Sequence, residues 1–166
     1  MPKEESMEEF VVSGVTLNQD EAKITVKEVP NEPGVAGLLF TRLAEVNINV
    51  DMIVQSSSMQ GTNDISFTVN KKNLNETKIV LEKIQPELSY REIIYDSEIA
   101  KVSAVGAGMQ SHPGVAARTF SCLGKLGINI DIISTSEIKI SCIVSKKDGV
   151  RAVRAIHQEF NLDKIS

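Results

Sequence analysis

The sequence contains no tryptophan, and aromatic residues make up only 4% of its 166 positions. Because 42% of the residues are hydrophobic, the chain can still close a core, but that core must be largely aliphatic. An excess of positive charge is also missing, because the sequence has 18 basic and 22 acidic residues and a net charge of -4. Binding to a phosphate backbone needs a positive field, so no nucleic acid is expected as a partner.

Long apolar runs and metal-binding patterns are missing as well. No run of about 18 apolar residues occurs, and the acidic N-terminus does not have the pattern of a secretory signal, so we expect a cytoplasmic protein without membrane contact. The two cysteines, Cys122 and Cys142, have no metal-ligand spacing, and only two histidines accompany them. Both cysteines are predicted to be small core residues, and no metal or cofactor is predicted.

The chain contains an internal repeat. Shifted by 80 residues, residues 31–56 match residues 111–136 at eleven of 26 positions. The offset then shortens to 75, which aligns residues 64–69 with residues 139–144 and gives the second copy a shorter hairpin. A chain of this length has room for two small domains, so each copy is interpreted as one module.

Within each copy, the hydrophobic spacing alternates between the strand period and the helix period. An amphipathic helix is predicted at residues 34–46, and a second helix follows the hairpin in each copy. Pro86 is predicted to end that second helix in the first copy. Strands are predicted at residues 22–29, 48–55, 65–70 and 88–95 in the first copy, and at 99–105, 128–135 and 138–145 in the second.

The second copy lacks a counterpart of its last strand, because the chain ends shortly after Phe160. An apolar segment at residues 10–15 precedes the first copy and belongs to none of its strands. Since an uncovered sheet edge invites aggregation, we predict that this segment crosses over to complete the second sheet. The predicted fold class is α+β, with two intertwined ferredoxin-like βαββαβ modules. The first covers residues 15–95, the second covers residues 10–14 plus 96–166, and residues 1–9 form a flexible N-terminus.

A loop between a strand and a helix is the most faithfully repeated element, with Pro-Gly-Val-Ala in both copies. Gly34 in one copy and Gly114 in the other have no Cβ, so another group can approach the backbone closely. Proline lacks an N–H, but at the first helical position that N–H would have no partner within the helix. The next free N–H groups lie at the positive end of the helix dipole, where a carboxylate binds. A simpler interpretation also stands, in which Asn31 and Ser111 cap the two helices after a tight turn.

A second repeated signal is Ile-Asn-Val-Asp at residues 48–51 and Ile-Asn-Ile-Asp at residues 128–131, where the second strand of each copy is predicted to begin. Asn49 and Asn129 are poor strand formers, so strand propensity does not explain them. Strand carbonyls and an asparagine amide can accept hydrogen bonds from an ammonium group while the loop holds a carboxylate. The two features together predict a free amino acid as the ligand.

A resemblance to a known family is carried by seven segments, at residues 7–15, 21–26, 51–56, 64–69, 101–109, 111–116 and 132–141. These segments resemble the ACT domain, and residues 7–166 as a whole resemble the regulatory half of aspartokinase, the kinase that opens the synthesis of lysine, threonine and methionine. The resemblance implies interleaved ACT domains that bind threonine or lysine for allosteric feedback inhibition, with no catalysis by this chain. It also implies a homodimer, or a heterotetramer with the catalytic α chain.

The resemblance also implies ligand contacts, at two sets of positions. One set comprises Asn31, Gly34, Val35, Ala36 and Gln55, with Asn129, Ile130 and Asp131 from a facing module. The mirror set comprises His112, Gly114, Val115, Asn49, Val50 and Asp51. Many relatives carry aspartate where this chain has Asn31, so a charge that could hold the ligand ammonium is missing. The choice between threonine and lysine therefore stays open.

Two other functions are alternatives to an aspartokinase regulatory subunit. A free-standing tandem ACT protein would regulate another enzyme or a transcription factor by protein contact. A small enzyme on a ferredoxin-like fold, such as an acyl-phosphate hydrolase, would need an arginine and an asparagine around a phosphate-binding loop, and the sequence offers no such loop. His112 has no obvious nucleophile nearby, and His157 borders the buried face of a helix, so neither is predicted to be catalytic.

Overall fold

The computed structural model describes residues 11–58, 60–108 and 112–162. The predicted flexible N-terminus, the first residue of the crossing segment and Ser111 lie outside these ranges. The chain folds as two compact units, which we call the first module (residues 20–97) and the second module (residues 11–19 with 98–162). Each module has a four-stranded antiparallel sheet and two long helices, so the predicted α+β class is confirmed.

The elements alternate as the hydrophobic spacing predicts. A short 3-10 turn at Lys71–Asn73 precedes the second long helix, and another at Lys146–Asp148 precedes the fourth. In chain order the strands and helices are β1 (Val12–Asn18), β2 (Glu21–Pro30), α1 (Val35–Glu45), β3 (Val50–Ser57), β4 (Thr62–Asn70), α2 (Leu74–Leu88), β5 (Glu92–Asp96), β6 (Ile99–Gly106), α3 (Pro113–Lys125), β7 (Ile132–Thr135), β8 (Lys139–Ser145) and α4 (Gly149–Glu159).

The first module has the strand order β3-β4-β2-β5, which is the ferredoxin-like order. Alternate residues of β2 and β4 point to one face, and both helices cover that face because their apolar residues enter the same core. Phe67 is the one fully buried aromatic residue of this core, so the core is largely aliphatic as expected. Its buried members are Ile24, Val26, Val29, Leu39, Leu43, Ile48, Ile65, Phe67, Val69, Val80, Leu81, Ile84 and Leu88.

The prediction that Pro86 ends the second helix is wrong. α2 continues through Pro86 to Leu88. Proline removes the hydrogen bond to the carbonyl of Glu82, but both residues are exposed, so water can satisfy that carbonyl. Leu88 is only 1% exposed, and its burial holds the last turn in place. The helix ends at Ser89, whose φ of 55° is left-handed, and this delays β5 relative to the predicted start at residue 88.

The predicted strand crossing is confirmed for the described part of the chain. β1 pairs antiparallel with β6, where Val15 lies opposite Ala104 and Leu17 lies opposite Val102. The second sheet therefore has the order β1-β6-β8-β7, with β1 in the place of the missing last strand. β1 reaches Asn18, so residues 15–18, which were assigned to the first module, lie in the sheet of the second. Val15 and Leu17 pack against the core of the second module, which explains the longer strand.

The second strand of the second module is shorter than predicted. The sequence predicts it at residues 128–135, whereas β7 begins at Ile132. Gly127 has a left-handed φ of 70°, and Ile128 is buried at 4% exposure directly after it. Pairing with β8 begins only where the N–H of Asp131 donates to the carbonyl of Ile143 at 2.9 Å. The intervening residues connect the buried Ile128 to the sheet.

Both cysteines lie in the second module and contribute to its packing. Cys142 in β8 is 1% exposed, and burial raises the pKa of its thiol to about 11, so it is protonated at neutral pH. Cys122 on α3 is half-buried, packs against the same core and donates its S–H to the carbonyl of Thr119 at 3.1 Å. Burial raises the pKa of Cys122 as well. The prediction of a core residue is therefore confirmed for Cys142, whereas Cys122 lies at the edge of the core.

Candidate functional site

The loop between β2 and α1 leaves the start of α1 uncapped. Gly34 precedes the helix with a φ of 91°, a left-handed conformation that glycine adopts without strain. No side chain accepts a hydrogen bond from the first turn, and that turn contains no acidic residue. The N–H groups of Ala36 and Gly37 have no acceptor within the helix, and both residues are exposed. This helix start can therefore bind an anion, such as a carboxylate, through backbone N–H groups and the helix dipole.

The simpler interpretation of this loop, with Asn31 as a capping residue, is wrong. The backbone N–H of Asn31 donates to the carbonyl of Gly61 at 3.1 Å, and its side-chain Oδ1 accepts from Nδ2 of Asn63 at 3.1 Å. Both bonds tie the loop to the β3–β4 hairpin instead of to α1. Pro33 also lies before the helix, because the left-handed Gly34 separates it from Val35.

Asn63 is the residue of this region that the sequence analysis missed. It lies in β4 and is 5% exposed, with its Oδ1 buried and without a hydrogen-bond partner in the described part of the chain. The signal in the sequence is its position, because Asn63 lies an even number of residues before Ile65, Phe67 and Val69 and therefore points to the same buried face of the strand. An asparagine at an inward-facing strand position needs partners, and one of them is Asn31.

A β-bulge in β2 directs the chain into the loop. The register with β4 shifts between Val26 and Val29, and Glu28 within the bulge has a left-handed φ of 56°. The N–H of Glu28 donates to Oδ1 of Asp64 at 2.9 Å, which stabilises this conformation. The ammonium of Lys27 lies 3.7 Å from the other oxygen of Asp64. Because bulges bend a strand, this one sets the direction in which β2 enters the loop.

The structure separates the candidate residues of β3 into two groups. Gln55 is exposed and lies opposite Ile65, at the end of the sheet where Asn31 contacts Asn63. Val50 lies opposite Val69, at the other end of β3, about 17 Å away at 3.4 Å per residue. Within the first module, the loop residues and Gln55 therefore share one end, while Asn49, Val50 and Asp51 lie at the opposite end.

The corresponding loop of the second module enters α3 at Pro113, which occupies the first helical position as predicted. His112 precedes the helix without capping it through its side chain, and its Nδ1 lies 2.9 Å from the carbonyl oxygen of Gly108. Val115 is fully buried, so only its backbone is available to a ligand. Its N–H bonds to the carbonyl of His112 at 3.0 Å.

Comparison with known proteins identifies the family. A family model described as the ACT domain matches residues 24–84 and 102–160, which is more than half of the chain. The chain belongs to the ACT domain family. An aspartate kinase of Stutzerimonas stutzeri is 48% identical over 163 residues, which make up 98% of this chain and 40% of that kinase.

Two solved structures specify the type of ACT protein. The ligand-free regulatory subunit of aspartate kinase from Thermus thermophilus is 40% identical with a TM-score of 0.86, over 90% of this chain and 99% of that one. A structure of aspartokinase alpha and beta subunits contains a chain that is 44% identical with a TM-score of 0.86, over 91% and 99% of the two chains. This tandem of ACT modules therefore corresponds to the regulatory part of aspartokinase and not to its catalytic part.

In the second ACT module, Asn129, Ile130 and Asp131 lie between Ile128 and β7. The placement of Asn129 at the start of a strand is therefore wrong, and Asn49 likewise lies one residue before β3. Asn129 and Asp131 are exposed, and Ile130 is half-buried. The side chains of this segment precede β7, while the N–H of Asp131 already bonds to the carbonyl of Ile143 in β8.

The described residues of both ACT modules contain no group of three or more histidine, cysteine, aspartate or glutamate side chains placed to hold a metal ion. Among the same residues, every helix is too short or too polar to cross a bilayer.

Proposed function

We propose that this chain senses a free amino acid for an aspartokinase, with threonine as the effector and lysine as the second candidate. The observation that carries the proposal is the uncapped start of α1 after the left-handed Gly34. Its free N–H groups suit the carboxylate that all amino acids share. Binding would be passed to the catalytic chain as feedback inhibition of the pathway that makes aspartate-family amino acids.

The complete binding site is proposed to lie between modules. The loop of the first module supplies hydrogen-bond donors, whereas the ligand ammonium needs acceptors. Asn129, Ile130 and Asp131 of a facing module would supply backbone carbonyls and a carboxylate, and the mirror site would pair His112, Gly114 and Val115 with Asn49, Val50 and Asp51.

Assembly with further chains is supported by the exposed edges of the two sheets. β3 and β7 are edge strands, and both present apolar side chains: Ile53 is 54% exposed, Val54 is 37% exposed and Ile133 is 50% exposed. Unprotected apolar edges favour pairing with another chain. We propose a homodimer of this chain, or a heterotetramer with the catalytic α chain, as the working assembly.

The energies required are modest. Effector dissociation constants between about 1 μM and 1 mM correspond to binding free energies of about -8 to -4 kcal/mol, which a few charge-assisted hydrogen bonds supply. Coupling to the kinase needs only about 1 to 3 kcal/mol. By linkage, the catalytic state must change effector affinity by the same factor.

Calorimetric titration of the whole chain with threonine, and separately with lysine, tests this function. We expect a saturable heat for threonine with a dissociation constant between about 1 μM and 1 mM. No saturable heat with either amino acid would contradict the proposal. Saturable binding without any association with an aspartokinase catalytic chain would instead favour the free-standing regulator.

A further inference from the structure

The side chain of Asn63 controls which group Asn31 presents to its surroundings. Nδ2 of Asn63 donates to Oδ1 of Asn31 at 3.1 Å, so the amide oxygen of Asn31 points toward the buried Asn63. Asn63 is buried and cannot turn toward solvent, whereas Asn31 is exposed. The accessible part of the Asn31 amide is therefore its NH2 group, a donor.

The reverse orientation of both amides is disfavoured by burial. It would let Oδ1 of Asn63 accept from Asn31, but it would place Nδ2 of Asn63 where the buried Oδ1 now lies. That position has no hydrogen-bond partner among the described residues, so an NH2 group there would leave its N–H groups unpaired. Buried unpaired N–H groups are rarer in proteins than carbonyl oxygens without a full set of partners. Burial thus fixes the direction of the hydrogen bond.

We infer that Asn63 is a positioning residue that turns the NH2 group of Asn31 toward the ligand, so that the first module recognises an oxygen acceptor there and discriminates against an ammonium group. The inference rests on the proposed amino-acid binding at this loop. The acceptor is either the ligand carboxylate or a side-chain hydroxyl. A ligand whose side chain ends in an ammonium group, such as lysine, would place its N–H donors against the NH2 donors of Asn31.

This arrangement belongs to the first module. The repeat aligns Asn63 with Ile138 of the second module, and Ile138 is 58% exposed. An isoleucine cannot orient a neighbouring amide by hydrogen bonding. The second module therefore lacks this hydrogen bond, and the orientation of the loop amide by a buried asparagine is specific to the first module.

The test compares the wild type, two Asn63 variants and one control variant by calorimetric titration of the whole chain with threonine, valine and lysine. Asn63→Leu keeps the branched shape of the side chain and removes the hydrogen bond, so the amide of Asn31 can rotate. Asn63→Asp can only accept, so it turns the NH2 group of Asn31 inward and presents its oxygen to the ligand. We expect Asn63→Asp to weaken threonine binding about 10-fold and to raise the affinity of lysine relative to threonine. Asn63→Leu should weaken threonine binding less.

Valine, which has the shape of threonine without its hydroxyl, locates the acceptor. Equal losses for threonine and valine in Asn63→Leu point to the carboxylate, and a loss confined to threonine points to the hydroxyl. The matched control is Asn70→Asp at the other end of β4, where the side chain accepts from the N–H of Lys72 and aspartate can do the same. Threonine affinity within 2-fold of the wild type in both Asn63 variants, or an equal loss in the control, would overturn the inference. If the wild type binds no amino acid, the proposed function fails instead.

Discussion

Replacing Gly106 by alanine is expected to release β1 from the second sheet. A Cβ at Gly106 would overlap the carbonyl oxygen of Val11 and would lie 2.6 Å from its carbonyl carbon. Both atoms belong to the backbone, so no side-chain rotation relieves the overlap, and β1 must move. Val12 next to them is fully buried. We expect the free energy of unfolding of the second module to fall by about 3 kcal/mol, as is usual for a strained core substitution with lost burial.

Amide hydrogen exchange on the whole chain measures this effect locally. Backbone N–H groups of β1 and β6 that pair with each other should lose protection in Gly106→Ala, while those of the first module keep theirs. The matched control is Gly14→Ala within β1, because a Cβ there meets nothing within 4 Å. Unchanged protection of β1 in Gly106→Ala would contradict the crossed-strand arrangement of the second module.

Replacing Gly34 by aspartate is expected to weaken threonine binding about 100-fold. The substitution tethers a carboxylate next to the N–H groups of Ala36 and Gly37, where the carboxylate of the ligand is proposed to bind. The tethered carboxylate competes with the ligand carboxylate for these N–H groups at an effective concentration in the millimolar range or above. Its negative charge also repels the ligand carboxylate. The left-handed φ of 91° costs an aspartate about 1 kcal/mol in strain, so the fold should survive.

The charge of the new side chain separates competition from strain. Gly34→Asn imposes the same left-handed strain with an uncharged side chain of the same shape, so it should lose much less affinity than Gly34→Asp. Calorimetric titration with threonine measures both variants, and thermal unfolding verifies that both are folded. Equal affinity losses in the two variants would show that the backbone conformation, and not an anion-binding position, matters at Gly34.

The architecture could be predicted from the sequence because it depends on patterns that repeat. The 80-residue offset marks the two modules, and the apolar segment before β2 has no place in the first one. The length of β1 was underestimated because Val15 and Leu17 pack against a core that, apart from Val11 and Val12, is formed by residues between Ala100 and Leu162. Hydrophobic alternation alone does not tell to which sheet a strand belongs.

The candidate site could be predicted only in part. The Pro-Gly-Val-Ala repeat indicates a helix start in both modules, but the first helical position that it predicts for proline is found only for Pro113. The partner of Asn31 could not be predicted, because Asn63 lies 32 positions later and meets it only through the pairing of β2 with β4. The same limit applies to Pro86, which α2 tolerates because the burial of Leu88 stabilises the turn that follows.

Nuclear magnetic resonance of the 15N-labelled chain, titrated with threonine, tests most directly whether the start of α1 binds an amino acid. The account predicts saturable shifts of the backbone amide signals of Ala36 and Gly37, and smaller shifts in Gly34→Asp at the same threonine concentrations. Saturable binding that leaves these two amides unshifted, or no shift of any amide at 10-fold the highest expected dissociation constant of about 1 mM, would contradict it.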